Sequence, residues 1–438
     1  MPVSAVEEGG GGRYRGLYTY IRNEVYITPP ACRPHPPWSL VAGDLVAAER
    51  STGRPLHPPG SIRARRLTLT LYFPFCRRLC SHCLYPVMEA CPGAAAWYRR
   101  MVAAEARLYA GALEGLGSVA VHITGGSPCI VPPSYWAAVV EEVSSVLGVG
   151  VDAVVMDTGP WLPGEEFMAE AADAGVSEIF VGVDTLDEAL QASIGKIFDE
   201  RILSSILDSA EEFGVSVTFT VLHSLPGQRL SQWLTGLRSL LELGAYSIEV
   251  RPYSTPGACR PAPGILYRRM VLQGDELLTS SGYERSGCCR YMLGAGRGAD
   301  WRGSVDTLGL GPGAHTFIGL HEHWNTLSPS GYSTLLGKGL LPAAAYARLT
   351  RRQRAARVLA EQLFRWGALR DETILRRLEG TGIRQVVRAM RALGRLSPRG
   401  GLMLTRRGLP DAQYIYWAYR ISVEGVRRAV NPGGRPMR

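Results

Sequence analysis

The sequence predicts an α/β fold: a partial (β/α)6 barrel followed by a C-terminal helical, winged-helix-like domain. Three observations carry this. Short apolar runs rich in Val, Ile and Thr recur between residues 67 and 251, helical patterns separate them, and the C-terminal part changes to helices followed by a hairpin signal.

Residues 1–66 are punctuated by Gly9–Gly12, Pro29–Pro30 and Pro58–Pro59, and read as an irregular N-terminal extension. Strand-like runs follow at Leu67–Phe73, Val119–Thr124, Val151–Asp157, Glu178–Asp184, Val215–Leu222 and Ser247–Arg251. Such runs are expected where both faces of a parallel sheet are buried. Between them lie helical stretches near Ala94–Leu113, Tyr135–Leu147, Glu165–Ala174, Glu200–Phe213 and Ser231–Leu243. Six strands alternating with five helices repeat a βα unit, which places a barrel core over 67–262. In such barrels the chemistry sits at the C-terminal strand ends. Residues 263–332 have weaker periodicity and read as a connecting segment with a loop at Gly309-Leu-Gly-Pro-Gly-Ala-His315. Over 333–420 the helical stretches Thr350–Trp366, Asp371–Leu378 and Arg384–Leu393 precede a hairpin signal at Leu396–Leu404, with Gly-Gly at its turn. This pattern suits a DNA-binding winged helix and equally a domain that packs against the barrel. Residues 421–438 form a basic tail rich in Gly and Pro.

A chain of 438 residues has ample apolar content for a large domain and a smaller one. The formal charge is +9, and nearly all of the basic residues are Arg. Arg pairs with carboxylates and phosphates, so acidic ligands are candidate partners; the other reading is an arginine bias dispersed over solvated surfaces. No run of 18 or more apolar residues predicts a membrane span, and the N-terminus lacks the pattern of a secretory signal. Nine cysteines without an export signal point to a reducing, cytoplasmic compartment where thiolates serve as ligands.

The first barrel strand runs into Cys76-Arg-Arg-Leu-Cys80-Ser-His-Cys83. Three thiolates at these spacings can take three corners of a [4Fe–4S] cubane. No fourth ligand follows in the loop, which leaves one iron open to a chelating molecule such as S-adenosylmethionine (SAM), through its amino and carboxylate groups. The competing reading is a zinc site completed by His82 or Cys91, but zinc knuckles pair such spacings with a second distant pair, and none is present. The second strand ends at Thr124-Gly125-Gly126-Ser127-Pro128, where consecutive glycines let backbone approach a ligand. His315 and His122 read either as working imidazoles or as buried, hydrogen-bonded residues, the second being preferred and more strongly for His122. Cys288 and Cys289 offer a thiolate to a metal or pack as small hydrophobes. Cys32, Cys129 and Cys259 have no spacing that implies a site.

Taken in order, these motifs resemble the radical SAM family that contains oxygen-independent coproporphyrinogen III oxidase (HemN) and the HemW-type haem chaperones. The resemblance runs from about Leu67 to Tyr416 and rests on Tyr72-Phe-Pro-Phe-Cys76, Gly125–Pro128, Gly182-Val183-Asp184-Thr185, Ser224-Leu225-Pro226-Gly227-Gln228 and Gly309–His315. It implies a radical SAM barrel, a [4Fe–4S] cluster on Cys76, Cys80 and Cys83, and reductive cleavage of SAM to a 5′-deoxyadenosyl radical. It places Tyr72, Gly125, Gly126, Ser127 and Gly311 at the cofactor. Asp157, Asp184, Lys196 and Thr220 stand where the family places polar SAM contacts, but Asp184 replaces a Gln, Lys196 an Arg and Thr220 an Asp. Asp157 is about one residue out of register with a family Glu. Tyr85 occupies the position of an extra Cys in the oxidases, while Gly309–His315 and Trp324-Asn325 look like the chaperone branch. The haem-associated His-Asn-x-x-Tyr-Trp signature of that branch is missing, with no His between Cys288 and Trp301.

The resemblance therefore implies a porphyrin or haem ligand, acted on by an oxidase or handed over by a chaperone, and an electron donor of flavodoxin or ferredoxin type. Radical SAM methylation of another substrate is a third branch. A cluster-based redox sensor that reads nucleic acid is the rival from a different class; the glycine turn and the barrel argue against it, since a sensor needs neither.

Overall fold

The computed structural model describes residues 66–80, 83, 85–113, 115–159, 163–196, 200–253, 264–287, 289–294, 305–369, 373–379, 382–397 and 402–411. The predicted N-terminal extension up to residue 65 and the basic tail lie outside these, as do Cys32, His82, Cys259 and Cys288.

The chain enters the fold at β1 (Thr68–Phe73), followed by a small parallel pair, β2 (Phe75–Cys76) and β3 (Met88–Glu89), and by α1 (Ala94–Arg107). Four βα repeats come next: β4 (Ser118–Gly125) with α2 (Pro133–Leu147), β5 (Gly150–Asp157) with α3 (Glu165–Asp173), β6 (Val176–Asp184) with α4 (Glu188–Ile194) and α5 (Glu200–Phe213), and β7 (Ser216–His223) with α6 (Leu230–Glu242). Then come β8 (Ser247–Pro252), α7 (Gly264–Ser280), β9 (Tyr283–Arg285), β10 (Arg290–Leu293), β11 (Thr307–Leu310), β12 (His315–Ile318) and β13 (His321–Asn325). After α8 (Pro329–Gly337) and β14 (Ala343–Arg348) the chain forms α9 (Arg351–Trp366), β15 (Ala368–Leu369), α10 (Thr373–Arg377), α11 (Gly382–Ala392), β16 (Leu396–Ser397) and β17 (Leu402–Leu404).

One twelve-stranded sheet has the order β14-β13-β12-β11-β1-β4-β5-β6-β7-β8-β10-β9. Its six central strands, β1 and β4 to β8, are parallel and neighbours in chain order, as the repeated βα pattern requires. The stretch read as a connecting segment does more than connect. It supplies β9 to β13, of which β11 pairs parallel with β1 and extends the sheet on that side. Helix α4 carries no periodicity long enough to read from sequence; it is capped by the Asp187 side chain accepting the Leu190 N–H at 3.0 Å.

Strand alternation sorts the side chains into two faces. Leu69, Leu71 and Phe73 point to the helices, where the Phe73 ring lies 5.1 Å from Tyr98 and 5.2 Å from Trp136. Thr68, Thr70 and Tyr72 therefore face the concave side. Register carries this face across the sheet through Tyr72 opposite Thr124, Gly182 opposite Thr220, Thr220 opposite Glu249 and Leu222 opposite Arg251. The Tyr85 hydroxyl lies 3.4 Å from Arg251 Nη1. The loop after β1 thus touches the sixth parallel strand, so the sheet curls into a partial barrel around a lumen. The N-terminal end of the lumen is filled by Glu178, Thr218, Ser247 and Arg290, all buried. Arg290 pairs with Glu178 and donates to Ser247 Oγ at 3.0 Å, and Thr218 donates to Glu178 at 2.6 Å, so every charge there has a partner.

The C-terminal part has its own apolar core, with Leu359, Leu363, Leu378, Val387 and Met390 among its members, and a small sheet of order β15-β17-β16. This is the helical, winged-helix-like arrangement expected, although the hairpin tip at 398–401 lies outside the described residues. Helix α9 starts with a capping box between Thr350 and Gln353 and stops at Gly367, whose φ is 64°. Its Arg354 makes two 2.9 Å bonds to Asp306 ahead of β11, which anchors the helical part to the barrel sheet. Among the described residues no helix is long and apolar enough to cross a membrane.

Candidate active site

The three cysteines lie where the barrel predicts chemistry, in the loop that leaves β1. Cys76 is the last residue of β2 and is buried, while Cys80 and Cys83 are partly exposed. The loop is pinned from both sides: the Met88 and Ala90 N–H groups donate to the carbonyls of Pro74 and Cys76 at 2.8 Å, and the Ser127 N–H donates to the Phe75 carbonyl at 2.9 Å. Burial pushes the Cys76 thiol up, partly offset by a hydrogen bond from Ser127, and Cys80 adds to the rise. Burial likewise raises Cys83, against a backbone bond at Tyr85, and Cys76 and Cys80 raise it further. The thiols are therefore near enough to repel one another as thiolates, a repulsion that iron relieves. Among the described residues no three His, Cys, Asp or Glu side chains converge on a single metal ion. A cubane asks for wider spacing, because each thiolate takes its own corner iron.

Beside the loop runs a row of glycines at the ends of β4, β5 and β6. A Cβ on Gly126 would meet the Phe75 carbonyl oxygen at 2.5 Å and Cys76 Sγ at 2.9 Å. One on Gly159 would meet the Gly126 carbonyl oxygen at 2.6 Å, and one on Gly182 the Gly159 carbonyl oxygen at 3.2 Å. Three successive strand ends thus pack backbone against backbone in a row that starts at Cys76, so closely that a side chain on Gly126 or Gly159 would clash. Gly125 and Gly126 were anticipated as such a turn. Gly159 was not, although a Gly two residues after a strand-like run was the available signal.

The lumen is open at this end. His122, Asp157 and Arg251 face inward, yet their side chains keep 22%, 28% and 33% of their surface accessible. Asp157 accepts from Thr124 at 2.5 Å and lies 3.3 Å from His122 Nε2. Burial alone would raise its pKa, but His122, Thr124 and Arg251 together hold the carboxyl below the usual range. Arg251 pairs with the buried Glu249 at 2.5 Å and approaches the Tyr85 hydroxyl. Burial lifts the Tyr85 phenol, with Arg251 opposing. The lumen mouth therefore carries the Arg251 guanidinium, the Asp157 carboxylate and the His122 imidazole beside the cysteine loop. His122 is hydrogen-bonded, as preferred from sequence, but it lines the cavity instead of the core. Glu249, Arg251 and Tyr85 were missed as cavity residues. The signal was present: Ser247, Glu249 and Arg251 put polar groups at every second position of a strand expected to be apolar on both faces.

The remaining predicted positions divide. Asp184 and Lys196, two separate departures from the family pattern, form a single buried ion pair, and Lys196 also donates to the Gly182 carbonyl at 3.2 Å. Asp184 takes a φ of 63° at the end of β6, which turns its carboxylate toward that lysine. Thr220 is half-buried on the lumen face between Gly182 and Glu249. Tyr72 lies under the cysteine loop, its hydroxyl donating to the Pro86 carbonyl at 3.3 Å. Its phenol is raised by burial first and then by Tyr85, Cys83 and Cys76. Gly311 presses against the Tyr72 backbone. His315 is bonded to Glu322 at 3.0 Å and stacked on Trp324 at 4.6 Å, away from the mouth. The Cys129 thiol donates to the Thr158 carbonyl at 2.7 Å and is pushed up to about 12 by burial.

Three thiols, a close-packed glycine row against one of them and an open polar mouth fit an iron–sulfur cluster with a chelating adenosyl cofactor. Comparison with known proteins agrees. Residues 70–235 match the sequence model of the Radical SAM superfamily, so the chain carries a radical SAM domain, which implies a [4Fe–4S] cluster and SAM. The chain is 27% identical over 372 residues to "Heme chaperone HemW" of Mycobacterium tuberculosis, covering 78% of this chain and 92% of that protein. It is 28% identical over 284 residues to "Radical S-adenosyl methionine domain-containing protein 1, mitochondrial" of Bos taurus, covering 60% and 63%. Its fold is similar to that of coproporphyrinogen III oxidase (HemN) from Escherichia coli, described as a radical SAM enzyme, with a TM-score of 0.69 at 16% identity over 91% of this chain and 98% of that one.

Proposed function

We propose that this radical SAM domain cleaves SAM reductively in a reducing, cytoplasmic compartment and takes a tetrapyrrole bearing propionate groups at its lumen mouth. The observation that carries the reading is the open end of the lumen, where Arg251 and His122 stand beside the cysteine loop. When bound on Cys76, Cys80 and Cys83, the cluster together with SAM supplies one-electron cleavage of a carbon–sulfur bond. In the glycine row at the ends of β4, β5 and β6, the partly exposed Gly159 and Gly182 would offer backbone to the methionyl part of SAM. Arg251, held by Glu249 and Tyr85, offers its remaining donors to a ligand carboxylate. His122, oriented by Asp157 through Nε2, adds an imidazole to the polar lining of the mouth. Similarity to the haem chaperone over 92% of its length supports a handover role in preference to oxidative decarboxylation, as does Tyr85 where the oxidases carry Cys. A donor protein of flavodoxin or ferredoxin type would supply the electron.

The deciding experiment incubates anaerobically reconstituted protein with dithionite and SAM, in the presence of coproporphyrinogen III, of haem, or of neither. The chaperone reading expects 5′-deoxyadenosine without porphyrinogen turnover, and haem binding seen as a shifted Soret band. Decarboxylated porphyrinogen would establish the oxidase reading instead. Cleavage of SAM with no response to either tetrapyrrole would remove both and favour another substrate.

A further inference from the structure

The carboxylate of Glu105, on α1, takes no part in the chemistry above, yet it is fully buried. It accepts the Gly311 N–H at 2.8 Å, Asn325 Nδ2 at 2.6 Å and the phenol of Tyr332 from α8. Asn325 Nδ2 also donates to the Gly311 carbonyl at 3.0 Å. Both polar groups of Gly311 are therefore gripped, the N–H by Glu105 and the C=O by Asn325. Gly311 has a φ of 113°, and a Cβ there would run into the Tyr72 carbonyl and lie 3.1 Å from the Tyr98 ring. Two residues on, a Cβ at Gly313 would lie 3.2 Å from both the Tyr72 ring and Pro86. Tyr72 in turn bonds the Pro86 carbonyl, and Pro86 leads into β3, whose flanking N–H groups hold Pro74 and Cys76. A continuous line of contact runs from Glu105 through Gly311, Tyr72 and Pro86 to Cys76.

The three donors around this carboxylate are neutral, and burying a charge is costly even when it is hydrogen-bonded. Packing alone would be served as well by an apolar side chain, so what the carboxylate adds is a fixed position for the Gly311 peptide. We propose that Glu105 is a positioning residue of the cysteine site: with Asn325 it clamps the Gly311 loop at the height that sets Tyr72 and β3 beneath the cluster ligands. This rests on the reading of the cysteine loop as the cluster site.

The test uses Glu105→Gln and Asn325→Ala in the full chain. In the cluster-free protein, amide hydrogen exchange should quicken by about tenfold, the scale of one lost charge-assisted bond, at Gly311 and Gly313 and also at Met88 and Ala90. Protection of α2 and α5 should stay at the wild-type level. In reconstituted protein the KM for SAM should rise by about tenfold with kcat within about twofold, and about tenfold more SAM should be needed to produce the wild-type change in the electron paramagnetic resonance signal of the reduced cluster. Loosening confined to Gly311 and Gly313, with Met88, Ala90 and the SAM response unchanged, would overturn the proposal and leave Glu105 a local support. Should Glu105→Gln fail to fold, Asn325→Ala decides, since it removes the other half of the grip. Wild-type protein that takes up no iron would sink the cluster reading, while the exchange experiment still reports on the clamp.

Discussion

Replacing Gly126 by Ala places a methyl group where the structure has no room. Its Cβ would stand 2.5 Å from the Phe75 carbonyl oxygen and 2.9 Å from Cys76 Sγ, about 1 Å inside ordinary contact. Phe75 cannot retreat freely, because its carbonyl accepts the Ser127 N–H at 2.9 Å and the next residue is tied to Ala90 at 2.8 Å. Overpacking of this kind costs about 1–3 kcal/mol, and a lost backbone bond adds about 1 kcal/mol. Thermal unfolding of the cluster-free chain, followed by circular dichroism, should then show Tm lowered by roughly 2–7 °C. Iron retained after reconstitution should fall as well, because the strain is delivered to a cluster ligand. Gly117→Ala is the control: nothing lies within 4 Å of a Cβ there, and its φ is not left-handed, so Tm should hold or rise slightly. A Gly126→Ala protein with wild-type Tm and wild-type iron would refute the claim that this glycine exists for close approach to Cys76.

Other perturbations test the lumen and its charges. Arg251→Met leaves the buried Glu249 without its guanidinium and should cost about 1.5–3 kcal/mol in urea unfolding; adding Glu249→Gln should recover most of it, and an additive double mutant would contradict the pairing. Lys196→Met should cost about 3 kcal/mol by removing the lysine from the buried Asp184 carboxylate, with Asp184→Asn in the same chain recovering part of it, as a double-mutant cycle would read. Acid should destabilise the protein through His223 and His323, which burial holds down at about 3. Folded, they bind fewer protons than the unfolded chain between pH 6.5 and 3, so stability falls as pH drops through that window. Glu105, raised to about 7 by burial, works in the opposite direction between pH 7 and 4.5, so the two histidines outweigh the one carboxylate. Urea unfolding at pH 7 and pH 5 should show the loss, and His223→Gln, which never charges, should shrink it.

The barrel was legible because its physics is local and repetitive. Strands buried on both faces read as short apolar runs, and five of the crossover helices showed a 3.6-residue pattern; α5 matches the expected range Glu200–Phe213. The cysteine loop and the Gly125-Gly126 turn were legible because their spacing is itself the chemistry. What escaped depends on contacts between distant residues. Strands β11 to β13 are short and between them contain Gly, His and Asn, so nothing local shows that they extend the sheet beside β1. Asp184 and Lys196 read as two weakened cofactor contacts, whereas in space one compensates the other. Arg251 is five strands away from the cysteines in the sheet, and only curvature brings it to Tyr85. Nothing local marks out Glu105 on its helix; its burial becomes visible only once the loop from a residue two hundred positions away is laid across it.

The account stands on the cysteine triad as the seat of a SAM-cleaving cluster, and one measurement addresses it directly. Anaerobically reconstituted protein is analysed for iron and sulfide, then incubated with dithionite and SAM and assayed for 5′-deoxyadenosine, with Cys80→Ser alongside. Iron and sulfide in equal amounts, with 5′-deoxyadenosine formed by the wild type and abolished in Cys80→Ser, is the predicted result. Zinc without sulfide, or SAM cleavage that survives Cys80→Ser, would contradict it.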